Sequence, residues 1–224
     1  MSNFAIFYPS PQDVEFRLKE AGWKYINNRA GDFTYAQFAA IPALFEYVVE
    51  CKRVPPLLDL AKHLWQFRAK GIRTDKDIEL AKGRTRKLVQ DFYRELHTFG
   101  LLAQSTIFGS VRYAKVEDIT LGVDYTAVLS LAIPSNEEAI GIQAAMRDNW
   151  TNDVFTSMKQ ARQNRRNSSE KWDGPIYLLT DKHRSHVSLG GVWLFTQDHV
   201  NDLMYEIIGN NEVEDVAIQT ELAE

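Results

Sequence analysis

The strongest constraint on the fold of this chain is segment 85–99, in which apolar residues recur with the period of an α-helix. These residues fall within about a third of a turn on a helical wheel, the width of a stripe that packs against a core. They are Leu88, Val89, Phe92, Leu96 and Phe99. The opposite side, with Tyr93 at its edge, holds Arg86, Lys87, Gln90, Arg94 and His97. The pattern predicts a helix over 84–99 with a buried apolar stripe and a polar face in solvent.

The residues around this helix predict a turn on each side of it. A short helix pattern over 77–81 precedes it, and Gly83 between the two is free to adopt turn conformations. Gly100 is suited to the left-handed residue that ends many helices. Residues 103–119 then indicate a hairpin of two short strands around Phe108-Gly109-Ser110.

This order of elements resembles a winged helix-turn-helix domain, at the level of the superfamily, over about residues 55–118. The matching residues are Ile78, Leu80, Ala81, Gly83, Arg84, Thr85, Val89, Leu96, Gly100, Leu101 and Leu102, with the hairpin as the wing. The resemblance implies that helix 84–99 reads the major groove of DNA and that the wing touches the backbone or minor groove. The DNA-binding residues it implies are Arg84, Arg86, Lys87, Gln90, Arg94 and Arg112. Gln90 and Arg94 are expected to reach base edges, and Lys87 and Arg112 to contact phosphates.

The distribution of charge along the chain favours a polyanionic partner for the middle of the sequence. The whole chain has a formal net charge of −4. Residues 55–120 nevertheless contain 12 Lys and Arg against 8 Asp and Glu, a net of +4, whereas residues 121–224 contain 8 against 16, a net of −8. A locally basic segment within an acidic chain is typical of a surface that attracts phosphates.

The sequence predicts an α+β fold, with a winged helix-turn-helix in a helical amino-terminal half and a mixed α+β domain after it. The expected boundaries are 1–120 for the helical region, 121–208 for a dimerisation or partner-binding domain, and 209–224 for an acidic tail that is partly disordered. Residues 136–148 and 151–163 have helical patterns, and 175–180 and 186–195 together suggest a hairpin. Two helices followed by strands are also the parts of a second winged module, as in plasmid-type replication initiators.

Several function classes lack support in the sequence. The single cysteine, Cys51, excludes an internal disulfide. The first residues show no signal-peptide pattern, and no apolar run is long enough to span a bilayer. These features predict a cytoplasmic protein. Asp181, His183 and His186 suggest a metal, but they fall in a predicted turn without further ligands. The chain also lacks a phosphate-binding glycine loop, a nucleophile elbow and an HExxH motif. We therefore expect no cofactor, no metal and no enzymatic activity.

The function expected from the sequence is non-enzymatic binding of double-stranded DNA, most simply as a transcriptional regulator that forms homo-oligomers or binds a protein partner through residues 121–208. Two alternatives stay open. One is a plasmid-type replication initiator with two winged modules, and the other is a winged-helix subunit that binds protein rather than DNA.

Overall fold

The computed structural model describes residues 7–22, 40–68, 75–113, 124–130, 139–145, 175–180 and 186–221. It is a mixture of helices and strands, which confirms the α+β class. The chain divides into two compact units. The helical unit comprises residues 1–100 together with 187–194, and the sheet unit comprises 101–186 together with 195–224. The boundary therefore lies near residue 100 and not at 120, and the helical unit is completed by a segment from late in the chain.

Four helices form the described part of the helical unit: α1 (Pro11–Ala21), α2 (Ala40–Cys51), α3 (Leu57–Arg68) and α4 (Asp75–Gln104), which continues into the sheet unit. The apolar faces that the sequence indicates are largely buried. Val14 and Leu18 of α1, Val48 of α2 and Leu64 of α3 are each at most 2% exposed. On α3, Leu58 is 57% exposed, whereas Leu60, two residues later and on the other side of the helix, is completely buried.

Helix α4 is one continuous helix of 30 residues, and the helix-turn-helix predicted around Gly83 is not confirmed. The turn expected at Gly83 and the helix end expected at Gly100 both lie inside it. A glycine in a helix interior costs only about 1 kcal/mol relative to alanine, which tertiary packing readily offsets. The predicted apolar stripe is confirmed, since Val89, Phe92 and Leu96 are completely buried.

Gly100 has a packing role in place of the predicted capping role. A Cβ atom at this position would lie 2.5 Å from the backbone oxygen of Pro9 and 3.0 Å from Cδ of Pro11. The segment that leads into α1 thus runs directly against the backbone of α4. The absence of a side chain at Gly100 allows this close approach.

The sheet unit is built on a four-stranded mixed sheet. Its strands are β1 (Phe108–Tyr113), β2 (Tyr125–Leu129), β3 (Ile140–Ala145) and β4 (Ile176–Thr180), in the order β1-β2-β3-β4. β2 is antiparallel to both of its neighbours, and β4 is parallel to β3. Helix α5 (Gln197–Glu221) packs against β4. One face of the sheet carries the core, with Tyr125, Ile142 and Leu179 at most 1% exposed.

Two sequence predictions are wrong in this unit. The residues predicted to form the tip of a wing, Phe108-Gly109-Ser110, lie within the single strand β1, which has an irregular register there and pairs with β2. The predicted helix 136–148 contains strand β3 instead. The predicted helix 151–163 lies outside the described residues, so the second winged module gains no support. The sequence of β3, IGIQAA, is a short apolar run, and periodicity alone does not distinguish a buried strand from a helix in such a run.

A separate two-stranded sheet, β5 (Val187–Leu189) and β6 (Val192–Leu194), belongs to the helical unit, where β5 packs against α1. Its turn is Gly190-Gly191, and both residues have positive φ, 57° and 75°. A two-residue turn of this kind matches the twist of a hairpin, and glycine adopts it without strain. The predicted hairpin between 175–180 and 186–195 is wrong, because β4 pairs with β3 and the observed hairpin lies within 187–194. Helix α5 extends beyond the predicted boundary at residue 209, to Glu221.

Candidate functional site

The helix face that the sequence assigns to DNA reading is largely buried. Gln90 is 1% exposed, Tyr93 is completely buried and His97 is 3% exposed. The hydroxyl of Tyr93 donates a hydrogen bond to the backbone oxygen of Pro55. A base edge cannot reach side chains that are enclosed to this degree, so Gln90 does not occupy the exposed position that reading requires.

The two described cations of this face share one acid. Nζ of Lys87 lies 3.6 Å from Oδ2 of Asp91, and a guanidinium nitrogen of Arg94 lies 3.3 Å from Oδ1 of the same residue. The side chains of Lys87 and Arg94 are only 28% and 32% exposed. Because Asp91 compensates part of their charge, this stretch presents a weaker positive field than the sequence suggests. Arg84 and Arg86 lie in α4, but their side chains fall outside the described residues.

His97 joins α4 to α1 inside the helical unit. Its Nε2 lies 3.3 Å from Oε1 of Glu15, and its Nδ1 is buried without a hydrogen-bond partner among the described residues. Burial lowers the pKa of His97, and the hydrogen bond and charge of Glu15 act in the opposite direction with a smaller effect. The neutral form is therefore favoured, as expected for a histidine inside a core.

Arg112, the residue expected near the tip of a wing, is the second-last residue of β1, opposite Thr126 of β2, and it is exposed. Alternate residues of a strand point to the same face of a sheet, and directly paired residues also share a face. Arg112 is therefore on the face that also carries Thr126 and, two residues earlier in the chain, Asp124.

The carboxyl ends of two strands and the amino end of a third meet at one edge of the sheet, next to Asp124. β3 and β4 run parallel and end together, at Ala145 and Thr180. β2 runs antiparallel to β3, so Asp124, which immediately precedes it, lies at the same edge. Ligands of open sheets bind outside the carboxyl ends of the parallel strands. This sheet edge is therefore a candidate binding site.

The carboxylate of Asp124 is held in a defined position at this edge. The backbone N–H of Asp124 donates to the oxygen of Ile142 at 3.1 Å, and its Oδ2 accepts a hydrogen bond from the N–H of Ala144 at 2.7 Å. The paired register of β2 and β3 ends at Tyr125 and Ile142, and Asp124 and Gln143 are the next residues beyond this pair. Both are partly exposed. A carboxylate and an amide oxygen on adjacent strands are ligands of the kind that hard cations prefer.

Thr180 adds a polar group without a partner at the same edge. It pairs with Ala145, which puts it on the face of Gln143 and Asp124. Its Oγ1 is buried and has no hydrogen-bond partner among the described residues. A buried hydroxyl without a partner costs roughly 1–3 kcal/mol. A ligand with oxygen or hydrogen-bonding groups could recover that free energy.

The sequence analysis did not identify this site because its members are far apart in the chain. Asp124, Gln143 and Thr180 come together only through the pairing of three strands, one of them parallel and therefore connected by a long crossover. The single local signal is an acid directly before the strand pattern YTAVL, which also occurs in ordinary strands.

Other kinds of site find no support within the described part of the chain. No three His, Cys, Asp or Glu residues there lie close enough together to hold a metal by themselves. Asp181 and His183 fall outside the described residues, so the metal interpretation of that turn gains no evidence. None of the described helices combines the length and the apolar character needed to cross a bilayer.

Comparisons of this chain with protein-family models, with curated proteins and with solved structures found no match.

Proposed function

We propose that the protein binds double-stranded DNA and hydrolyses its phosphodiester backbone at the sheet edge, with a divalent cation held beside Asp124. The observation that carries this proposal is the carboxylate of Asp124, which accepts a hydrogen bond from the Ala144 N–H where β3 and β4 end. The Arg112 side chain on the same face favours a phosphate-bearing substrate. The net charge of +4 over residues 55–120 supports a polyanionic partner.

The residues present fit a small hard cation. Mg²⁺ commonly uses one or two protein carboxylates, several waters and the phosphates of its substrate, so it does not need a cage of three acids. Asp124 would supply the carboxylate and Gln143 an amide oxygen. The hydroxyl of Thr180, which has no hydrogen-bond partner among the described residues, would add a further group at the same edge. When bound, such a cation polarises the phosphoryl oxygen and lowers the pKa of a coordinated water.

The roles of the protein side chains follow from this arrangement. Asp124 would hold the cation through its carboxylate, which the hydrogen bond from the Ala144 N–H orients. Arg112 attracts and orients the DNA backbone through its charge. In the net reaction, a water oxygen bonds to phosphorus, the ester P–O bond breaks and the leaving oxygen takes up a proton.

The test is cleavage of supercoiled plasmid in Mg²⁺ or Mn²⁺ and in EDTA. We expect cation-dependent nicking that Asp124→Asn reduces by about 100-fold or more, because the charge that binds the cation is lost. Asp59→Asn is the matched control, since it makes the same change at a surface helix position where Asp59 faces Lys62 at 3.9 Å. Wild-type protein that leaves every duplex intact in both cations would contradict the hydrolytic proposal.

A second candidate is a non-enzymatic regulator that binds DNA, with or without a winged helix. The specific support for it is the exposed Arg112 and the partly exposed Lys87 and Arg94. A regulator would bind duplex DNA without cleaving it, and its Asp124→Asn variant would bind as the wild type does. It would also be expected to self-associate through residues 121–208, since paired half-sites are common in such proteins. Sedimentation at micromolar concentration tests that expectation. Failure to bind DNA, together with co-purification of a protein, would favour the interaction subunit.

A further inference from the structure

His97 is a titratable side chain that is enclosed where helix α4 meets helix α1. The residue is 3% exposed, and its Nε2 lies 3.3 Å from Oε1 of Glu15 on α1. The other ring nitrogen, Nδ1, is buried and has no hydrogen-bond partner among the described residues. Both residues belong to the helical unit, so this contact is independent of the sheet edge around Asp124 and of the function proposed for it.

The contact with Glu15 suits the neutral form of the His97 ring better than the protonated form. A neutral imidazole has one N–H donor and one acceptor nitrogen, whereas a protonated ring has two N–H donors and a positive charge. Glu15 accepts one N–H, at Nε2, and the described residues offer no acceptor for a second N–H at Nδ1. A buried donor without a partner and a buried charge are both costly. Protonation therefore weakens the contact between α4 and α1.

The carboxylate of Glu15 compensates only part of the charge on a protonated His97. Its side chain is 36% exposed, so water screens the pair, and Nζ of Lys19 lies 3.9 Å from its other oxygen. The combined effect of burial and of Glu15 is a lowered pKa for His97. The hairpin 187–194, which packs on α1, contains no ionisable side chain. Charged groups on α1, α3 and α4 pair with one another: Arg17 with Glu20, Lys62 with Asp59, and Lys87 and Arg94 with Asp91.

Helix α1 is the element that depends on this contact most directly. It has 11 residues, and helices of that length are marginal in water without tertiary packing. Its packing includes the approach of Pro9 to Gly100 of α4 and a hydrogen bond of 3.1 Å from Nε of Arg17 to the backbone oxygen of Val54. Once α1 leaves α4, its own backbone hydrogen bonds are expected to open as well.

We propose that protonation of His97 opens the α1–α4 contact locally, while the rest of the helical unit stays folded. The contact is complete above the pKa of an exposed histidine, about 6.5, and it weakens as the pH falls below that value. Opening uncovers Val14 and Leu18, which are at most 2% exposed in the closed form. The consequence is a pH-dependent device that exposes an apolar surface under mildly acidic conditions.

Hydrogen exchange of the wild-type protein, followed by mass spectrometry, tests this proposal at pH 7.5 and 5.5, with exchange times scaled for the chemical rate at each pH. The amides of α1 are compared with those of α3, which belongs to the same unit. We expect opening of α1 to rise by about three- to tenfold at pH 5.5, because one proton contributes at most about tenfold one unit below a pKa of about 6.5. Unchanged protection of α1, or an equal loss in α1 and α3, would overturn the proposal.

Substitutions assign the acid response to His97. His97→Gln keeps an N–H that can donate to Glu15 but does not titrate, so opening of α1 should become independent of pH. His63→Gln makes the same change at a partly exposed position of α3 and should leave the response of α1 as in the wild type. An undiminished response in His97→Gln would contradict the proposal.

A second variant keeps the question decidable if His97→Gln does not fold. Glu15→Gln retains an oxygen acceptor for Nε2 but loses the charge that favours the protonated ring. Its acid response should therefore be larger than that of the wild type. A response equal to or smaller than that of the wild type would overturn the role assigned to the pair.

Discussion

Two polar regions of this protein, the face of α4 around Gln90 and the sheet edge around Asp124, use the same residue types in different ways. On α4 the polar side chains are turned inward or paired with one another, as with His97 and Glu15, or Arg94 and Asp91. At the sheet edge, Thr180 has no described partner and Asp124 is only partly exposed. His97 Nδ1 on α4 also lacks a described partner, but His97 is 3% exposed, whereas Thr180 lies at the end of a strand beside the partly exposed Asp124. Access from solvent therefore makes the sheet edge the better candidate for binding a ligand.

The largest effect on stability is expected at Gln90, where a substitution tests whether the α4 face is buried. Gln90→Ala removes a buried side chain and leaves its polar neighbours unsatisfied, so it should lower the free energy of unfolding by about 3 kcal/mol. Arg94→Ala, at a partly exposed ion pair, should cost less than about 1 kcal/mol. Urea denaturation of both variants measures the difference. If Gln90→Ala kept wild-type stability but lost DNA affinity, the α4 face would be a reading surface after all.

A second test concerns the close approach of the α1 segment to α4. Gly100→Ala places a Cβ atom against the backbone oxygen of Pro9, and we expect a loss of about 2 kcal/mol as the two elements are forced apart. Gly209→Ala is the matched control, because it lies in helix α5 with nothing within 4 Å of the added atom. There the higher helix propensity of alanine should raise stability by up to about 1 kcal/mol. Equal effects of the two substitutions would show that α4 is not packed in this way.

Arginine variants test which of the two regions contacts DNA. Arg112→Ala, on the Asp124 face, should weaken duplex binding by about fivefold and make the dependence of log affinity on log salt shallower by about one unit. Arg94→Ala should change the salt dependence less, since Asp91 already offsets its charge. Anisotropy titrations at several salt concentrations decide this. A larger effect of Arg94→Ala than of Arg112→Ala would shift the interface back to α4.

The smallest expected effect is a pH dependence of stability that arises from His97. Its pKa is lowered in the folded protein, so the unfolded chain binds the proton more readily. The stabilisation by neutral His97 is therefore fully present above the unfolded-state pKa of about 6.5 and is lost as the pH falls below that value towards the folded-state pKa. His97→Gln should flatten the decline in stability between pH 7.5 and 5 relative to the wild type. An identical decline in both proteins would show that other groups cause it.

The sequence predicted the helices and their buried stripes well, because apolar periodicity reports directly on burial. The stripe containing Val89, Phe92 and Leu96 is an example. The prediction failed for the opposite face of the same helix, since a helix that is surrounded by its unit also buries polar residues. Tyr93 and His97 can be buried because Pro55 and Glu15 accept their hydrogen bonds, and those partners are distant in sequence.

The sheet and its candidate site were harder to predict from the sequence, because they also depend on contacts between distant segments. β3 looked helical because six mainly apolar residues carry little periodicity, and its identity as a strand depends on pairing with β4, more than thirty residues later. Gly83 and Gly100 were read from local conformational preference alone. In the structure, Gly83 lies inside helix α4, so tertiary packing outweighs its preference for a turn. Gly100 also lies inside this helix, where it allows the close approach of Pro9 and Pro11.

The β5–β6 hairpin has a consequence for how the protein is made. It belongs to the helical unit, yet its residues 187–194 leave the ribosome only after most of the sheet unit. At a synthesis rate of about 5–20 residues per second, the first hundred residues wait roughly 5–20 s for the hairpin that packs on α1. During that interval the nascent helical unit lacks one of its pieces, which makes it a natural client for chaperones.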